Sequence, residues 1–182
     1  MTTVGELSTP AVLVDLDRVE RNIAAMAARA RDAGVKLRPH AKTHKAPEIA
    51  RRQRDAGAAG LTVAKTSEAE VFADAGFDDL FVAFPVVGAD KALRLLGLAD
   101  RARLAVGVDS VEGARTLAAP FHAASRTLDV MLKVDVGLHR VGVEPGDALE
   151  VARRIADLPG LRLRGVFTHA GQSYGGETPA AV

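Results

Sequence analysis

The chain has 182 residues, 48% apolar and 26% charged, with a formal charge of +1 and no cysteine. That length and composition describe one globular domain with a substantial core. They exclude disulfides and thiolate metal sites, they speak against a dedicated nucleic-acid surface, and no apolar run approaches the ~20 residues of a membrane span. The first nine residues lack the basic-then-apolar order of a signal peptide, so a cytoplasmic protein is the expectation.

The pattern alternates between short β-branched runs and longer helical stretches. Residues 12–16 read as a strand and 17–33 as a helix, with Asp17 and Glu20 in capping-box positions. Val19, Ile23, Met26, Ala27 and Ala30 form that helix's apolar face, and Gly34 stops it. A strand follows through Val35, Lys36 and Leu37, and Pro47 opens a helix that ends near Gly57. Residues 61–64 form a strand, and Ser67 with Glu70 caps a helix ending at Gly76. Residues 80–84 form a strand, with a helix through Ala92 to Leu98. Residues 104–108 form a strand, and Asp109 with Glu112 caps the next helix. A strand at 128–134, a loop, a helix at about 147–157 and a strand at 161–168 complete the series.

The strands are nearly continuous apolar runs, which points to a parallel sheet covered by helices. Setting 12–16 aside, about six strand–helix units are visible. A doubly wound sheet and a (β/α)8 TIM-like barrel both accommodate them, but no Gly-x-Gly-x-x-Gly follows the early strands. A complete barrel has eight strands and typically ~250 residues. The expectation is an α/β chain holding about six of the eight units of an incomplete barrel.

In such folds the active site lies at the carboxyl ends of the strands. Those ends carry Lys42, Lys65, Asp109, Asp135, His139, Arg140 and His169. Singly each has an ordinary explanation: Asp109 a helix cap, Lys65 a loop cation, Asp135 the closure of a turn before Gly137. Their joint placement marks a functional rim. Lys42 stands among Arg38, His40, His44 and Lys45. Crowding by like charge disfavours the ammonium form of a lysine, and a free amine is what a Schiff base with a carbonyl compound requires. Arg140 is a permanently charged donor suited to a phenolate oxygen, and His169 is flat enough to lie against a ring. Nothing suggests a Ser-His-Asp triad. His40 and His44 have the i, i+4 spacing of a helical metal pair, but Pro39 argues against helix there.

Four stretches then stand out together: Thr9-Pro10-Ala11-Val12-Leu13-Val14-Asp15-Leu16-Asp17; Arg38-Pro39-His40-Ala41-Lys42-Thr43-His44-Lys45; Lys133-Val134-Asp135-Val136-Gly137-Leu138-His139-Arg140-Val141-Gly142; and Thr168-His169-Ala170-Gly171-Gln172-Ser173-Tyr174. In register, the sequence resembles the D-threonine aldolase and D-serine dehydratase family of alanine-racemase-like (fold type III) pyridoxal-phosphate enzymes. The second stretch is specific to this branch, and the third is shared more widely across the fold type.

The resemblance implies a pyridoxal 5'-phosphate barrel with Lys42 as the Schiff-base lysine. It places Arg140 near the cofactor's phenolic oxygen, His169 near its ring and Tyr174 in the same loop. It also implies a C-terminal β-domain and a homodimer in the full-length protein, both outside this sequence. A divalent metal (Zn or Mn) would be held there by a His-x-Cys or His-x-Asp pair near the C-terminus, so no metal ligand is expected here. Residues 1–16 are then the strand that joins the β-domain, and 17–182 a partial cofactor-binding barrel. The activity implied is that of a lyase on small D-3-hydroxy amino acids, by retro-aldol cleavage or dehydration through a lysine aldimine. An amino-acid racemase of the same fold type and a noncatalytic pyridoxal-phosphate carrier are the rival readings. The 182 residues alone are expected to be inactive and prone to association.

Overall fold

A computed structural model describes residues 3–176, so residues 1–2 and 177–182 of the two expected domains lie outside the described residues. Five parallel strands run in sequence order across one sheet: β1 (Leu61–Val63), β2 (Asp79–Val82), β3 (Arg103–Val108), β4 (Leu128–Lys133) and β5 (Leu161–Phe167). Helices α1 (Leu16–Asp32) and α2 (Pro47–Asp55) precede the sheet. Helices α3 (Thr66–Asp74), α4 (Ala89–Leu98), α5 (Val111–Ala123) and α6 (Ala148–Ala156) connect successive strands. Repeated strand–helix crossovers of this kind generate an all-parallel sheet with helices on its outer face.

The strands are two-faced. Val63, Val82, Val106 and Val130 stand in one row across the register, and each is fully buried. Leu80, Leu104 and Leu128 occupy a parallel row one pleat away, and with the valines they meet Phe72, Leu95, Leu117, Phe121 and Ile155 of the helices. Removing a side chain of that size from water is worth about 1.5–3 kcal/mol. The other face carries Thr62, Phe81, Asp129 and Lys133, so only the helical side is a continuous apolar core.

The sheet curls around this second face. Phe81 on β2 meets Phe167 on β5 edge to face at 4.9 Å, although two strands intervene. In a flat sheet those strands would stand about 14 Å apart. Gly107 on β3 leaves the room: a Cβ there would lie 2.7 Å from Phe167 Cζ. The sheet is therefore an arc of a TIM-like barrel whose inner face is the concave one.

Several sequence expectations are corrected. Residues 12–15 join no ladder among the described residues and Val12 is 94% exposed; the sheet this segment was expected to join is not among the described residues, and only Leu16 is reassigned, to α1. β-branched composition describes a residue's fit to a pleated surface, and no such neighbour is present here. Residues 35–37 form no strand of their own; the following segment makes a single bridge, His40 to Thr62, so five strands and one bridged segment stand where six strands were expected. Three helix starts are shifted. Asp15, not Asp17, accepts the Arg18 amide at the start of α1, while Glu20 pairs with Arg52. Lys65, not Ser67, stands at the cap of α3, and Glu70 binds Arg94 on α4. Ser110, not Asp109, caps α5 by accepting the Gly113 amide at 3.1 Å. At α1 and α5 two capping-type residues lie within two positions of each other, and composition does not choose between them.

Candidate active site

The sharpest local structure after the bridged segment is one α-turn, in which the Lys45 amide donates to the Ala41 carbonyl at 2.8 Å. Both histidines of this motif serve the turn: His40 Nδ1 accepts the Lys42 amide at 3.4 Å and His44 Nδ1 accepts the Ala46 amide at 3.0 Å. Lys45 is pulled away from the rim by an ion pair with the buried Glu68 of α3. The other oxygen of Glu68 accepts the Ala64 amide at 2.8 Å. One carboxylate thus ties the turn to both the end of β1 and the start of α3. Its pKa balances burial, which raises it, against the Lys45 and Ala64 bonds, which lower it; the net direction is down. Lys42 keeps its exposed side chain at the mouth of the concave face.

That face holds a cavity of about 460 Å3 at the carboxyl ends of the strands. Lys42, Arg140 and His169 all line it, together with Lys133, Phe84 and Thr168. Arg38 lies deeper. Its guanidinium pairs with Asp79 at 2.8 Å and approaches the Asp79 carbonyl at the amino ends of the strands. No carboxylate is among the lining residues. Excess positive charge without a counter-ion is the condition for holding an anion.

The loop after β4 presents Arg140. Asp135 organises it by accepting the amides of Gly137, Leu138 and His139 on one oxygen at 2.9–3.1 Å. These amide bonds, led by Gly137, hold the Asp135 carboxyl below its usual range despite burial. Arg140 extends across the mouth, its guanidinium 5.9 Å from the Phe84 ring. His169 follows β5, and Tyr174 meets its ring edge on at 5.8 Å. Tyr174 is 81% exposed and does not itself line the cavity. Burial, then the charges of Lys42, Arg140 and Lys133, push the His169 pKa below its ordinary value.

Lys133 is a lining residue that the sequence reading did not single out. It is only 4% exposed, stands 5.1 Å over the Phe167 ring, and has no carboxylate within 4.0 Å among the described residues. Burial first and then the Arg140 charge lower its pKa, against the pull of Asp109 and Asp135. The other expected rim groups lie apart from the cavity. Lys65 lines a neighbouring hollow between α3 and α4, and Asp109 lines one at the start of α5.

Asp135, His139 and Glu144 bring one donor atom each within 4.8 Å of one another. Three backbone amides already occupy Asp135 Oδ1, and His139 Nδ1 lies 3.5 Å from Oδ2. The group fits a turn closure and does not fit a metal centre. No described helix is long and apolar enough to cross a membrane.

Comparison with known proteins gives the family and supports the fold. Residues 14–181 match the family described as alanine racemase, N-terminal domain. D-threo-3-hydroxyaspartate dehydratase of Delftia sp. (strain HT23) is 41% identical over 184 residues, covering 99% of this chain and 48% of that protein. D-threonine aldolase of Arthrobacter sp. is 38% identical over 169 residues, covering 92% and 45%. The crystal structure of D-threonine aldolase from Filomicrobium marinum superimposes with a TM-score of 0.85 at 44% identity, covering 90% of this chain and 44% of that one. The chain thus spans about half the length of the curated relatives it matches.

Proposed function

The chain belongs to the alanine racemase N-terminal domain family, and from that membership we propose that its concave cavity is the pyridoxal-phosphate site of a lyase acting on D-3-hydroxy amino acids. One observation carries the reading. Three separated loops bring Lys42, Arg140 and His169 to one cavity that no carboxylate lines, while Glu68 withdraws the competing Lys45. Cations that no lining carboxylate neutralises, a primary amine at the mouth in Lys42 with a second, buried one in Lys133, and a flat imidazole fit an anionic aromatic aldehyde.

Lys42 would hold the cofactor through Nζ. Arg140, always charged, would donate to its phenolate oxygen, and Phe84 beside the guanidinium restricts where that donor points. His169, whose ring meets Tyr174 edge on, would lie beside the cofactor ring. Burial and the neighbouring cations lower the His169 pKa, in a cavity whose lining already holds four cations, Arg38, Lys42, Lys133 and Arg140. Bound there, pyridoxal phosphate supplies the aldehyde for the lysine and the electron sink for cleavage of a bond at the substrate's Cα.

The substrate class rests on the relatives, which are named for D-threonine and D-threo-3-hydroxyaspartate. The residues described here do not divide aldolase from dehydratase. We place the divalent metal (Zn or Mn) and the homodimer contacts of the full-length enzyme outside the described residues.

Loading with pyridoxal phosphate tests the site. The visible absorbance of bound cofactor is expected to survive Lys45→Ala and to be lost in Lys42→Ala; the reverse pattern overturns the assignment. In the full-length enzyme, D-threonine or D-3-hydroxyaspartate is expected to yield glycine or a keto acid, and activity is expected to fall with chelator. Racemisation of alanine with neither product refutes the lyase reading.

A further inference from the structure

The loops after the adjacent strands β4 and β5 both reach the mouth of the cavity, one carrying Arg140 and the other His169, with Tyr174 against the His169 ring. The first loop has little buried anchorage: Val136, His139 and Arg140 are all exposed. Asp135 gathers its amides, which leaves the Val136 carbonyl to another donor. Gln172, 36 residues further along the chain, supplies that donor: its Nε2 donates to the Val136 carbonyl at 2.6 Å. Gly137 beside it takes φ +115, a conformation glycine adopts without strain. Gly171, next to Gln172, sits close against both loops; a Cβ would press on Leu138 Cδ2 at 3.0 Å and His169 Nε2 at 3.1 Å. At the base of the same seam Thr168 Oγ1 donates to the Val134 carbonyl at 2.9 Å.

We propose that Gln172 is a positioning residue of the cofactor site: its side-chain amide latches the Arg140 loop to the neighbouring His169 loop, so that Arg140 and His169 hold one spacing at the mouth. The inference rests on the reading of the cavity as a pyridoxal-phosphate site. Gln172 does not line the cavity, so it acts through Arg140. The group required is a donor. A glutamate of the same shape sets a carboxylate against a carbonyl, and two acceptors do not bind. Without the latch Arg140 sits on an exposed loop, and the cofactor loses a prepositioned charge without losing any group that touches it.

The test compares Gln172→Ala and Gln172→Glu in the wild-type and Arg140→Ala backgrounds, reading pyridoxal-phosphate affinity and amide hydrogen exchange at residues 137–139. Each single variant is expected to weaken affinity about 5-fold, the size of one hydrogen bond. In the Arg140→Ala background the same changes are expected to be nearly silent, because both act on one contact. Exchange at 137–139 is expected to quicken several-fold in both variants with no cofactor present, while the helices keep their protection. Equal losses of affinity in both backgrounds, or unchanged exchange, overturn the latch. If wild-type protein takes up no pyridoxal phosphate, the functional reading fails, and the exchange data still decide whether Gln172 holds the loop.

Discussion

Lys133 shows most clearly what a single residue does here. A lysine that is 4% exposed as a residue, on the cavity lining and with no carboxylate within 4.0 Å among the described residues, carries a partly desolvated charge that an arriving anion would stabilise. Lys133→Met is therefore expected to raise the unloaded protein's stability in urea by about 1–3 kcal/mol and to weaken its affinity for pyridoxal phosphate. A loss of stability together with unchanged affinity would show that the cation is structural. The histidines make a second prediction. Burial is the first cause that lowers the pKa of His40, His44 and His169 from 6.5. Below pH 6.5 the unfolded chain binds protons that the folded one refuses, so stability is lost as pH falls from 6.5 towards the depressed folded values. Glu68 and Asp135, whose pKa values are also lowered, hold their contributions down to about pH 4.5 and 3.8 and lose them below. Melting followed from pH 7.5 to 5 in steps of about half a unit should fall mainly below 6.5, and less steeply in a His40→Gln, His44→Gln double variant. Lys42, Arg140 and His169 were legible in the sequence because each lies in the polar segment that follows an apolar run. Lys133 was hidden inside such a run, although Asp129, Met131 and Lys133 share one face by strand alternation while Val130 and Leu132 share the other.

Among the elements, those after residue 60 were readable from apolar periodicity, since each strand's outer row and each helix's inner face meet in one core. Before residue 60 the helices at 17–33 and from Pro47 were readable as well, whereas the strand at 35–37 was not. Residues 12–15 have strand composition and no neighbouring strand, and 35–37 are followed by one bridge instead of a ladder. Pairing is a property of two segments, and one segment's composition reports only half of it. The capping boxes failed for a related reason: Glu68 serves the start of α3 from inside the helix while holding Lys45 from another element. That dual role predicts the element's weak point. Glu68→Ala is expected to cost about 2 kcal/mol in urea unfolding, the scale of hydrogen bonds to a charged group, and to lower cofactor affinity by freeing the turn that carries Lys42. Lys45→Ala alone should cost less, because the Ala64 amide keeps its acceptor. Equal costs would show that the ion pair, and not the amide bond, holds the turn.

The whole molecule is an arc of five parallel strands with helices outside and a cationic mouth inside. Its outer strand β5 pairs only with β4 among the described residues, and Val166 on it is 61% exposed. An unpaired, apolar strand edge invites pairing with another chain. The 182-residue chain is therefore expected to associate in light scattering, and Val166→Lys is expected to reduce that association. A monodisperse wild-type protein at tens of micromolar would contradict it. The decisive bond is the one between Lys42 and pyridoxal phosphate. Loading the chain with pyridoxal phosphate, reducing it with borohydride and mapping the modified peptide by mass spectrometry locates that bond directly. A reduced pyridoxyl group is expected on Lys42, with Lys45 and Lys133 unmodified. Label on Lys45 or Lys133 with Lys42 untouched, or no label at all, would contradict that assignment.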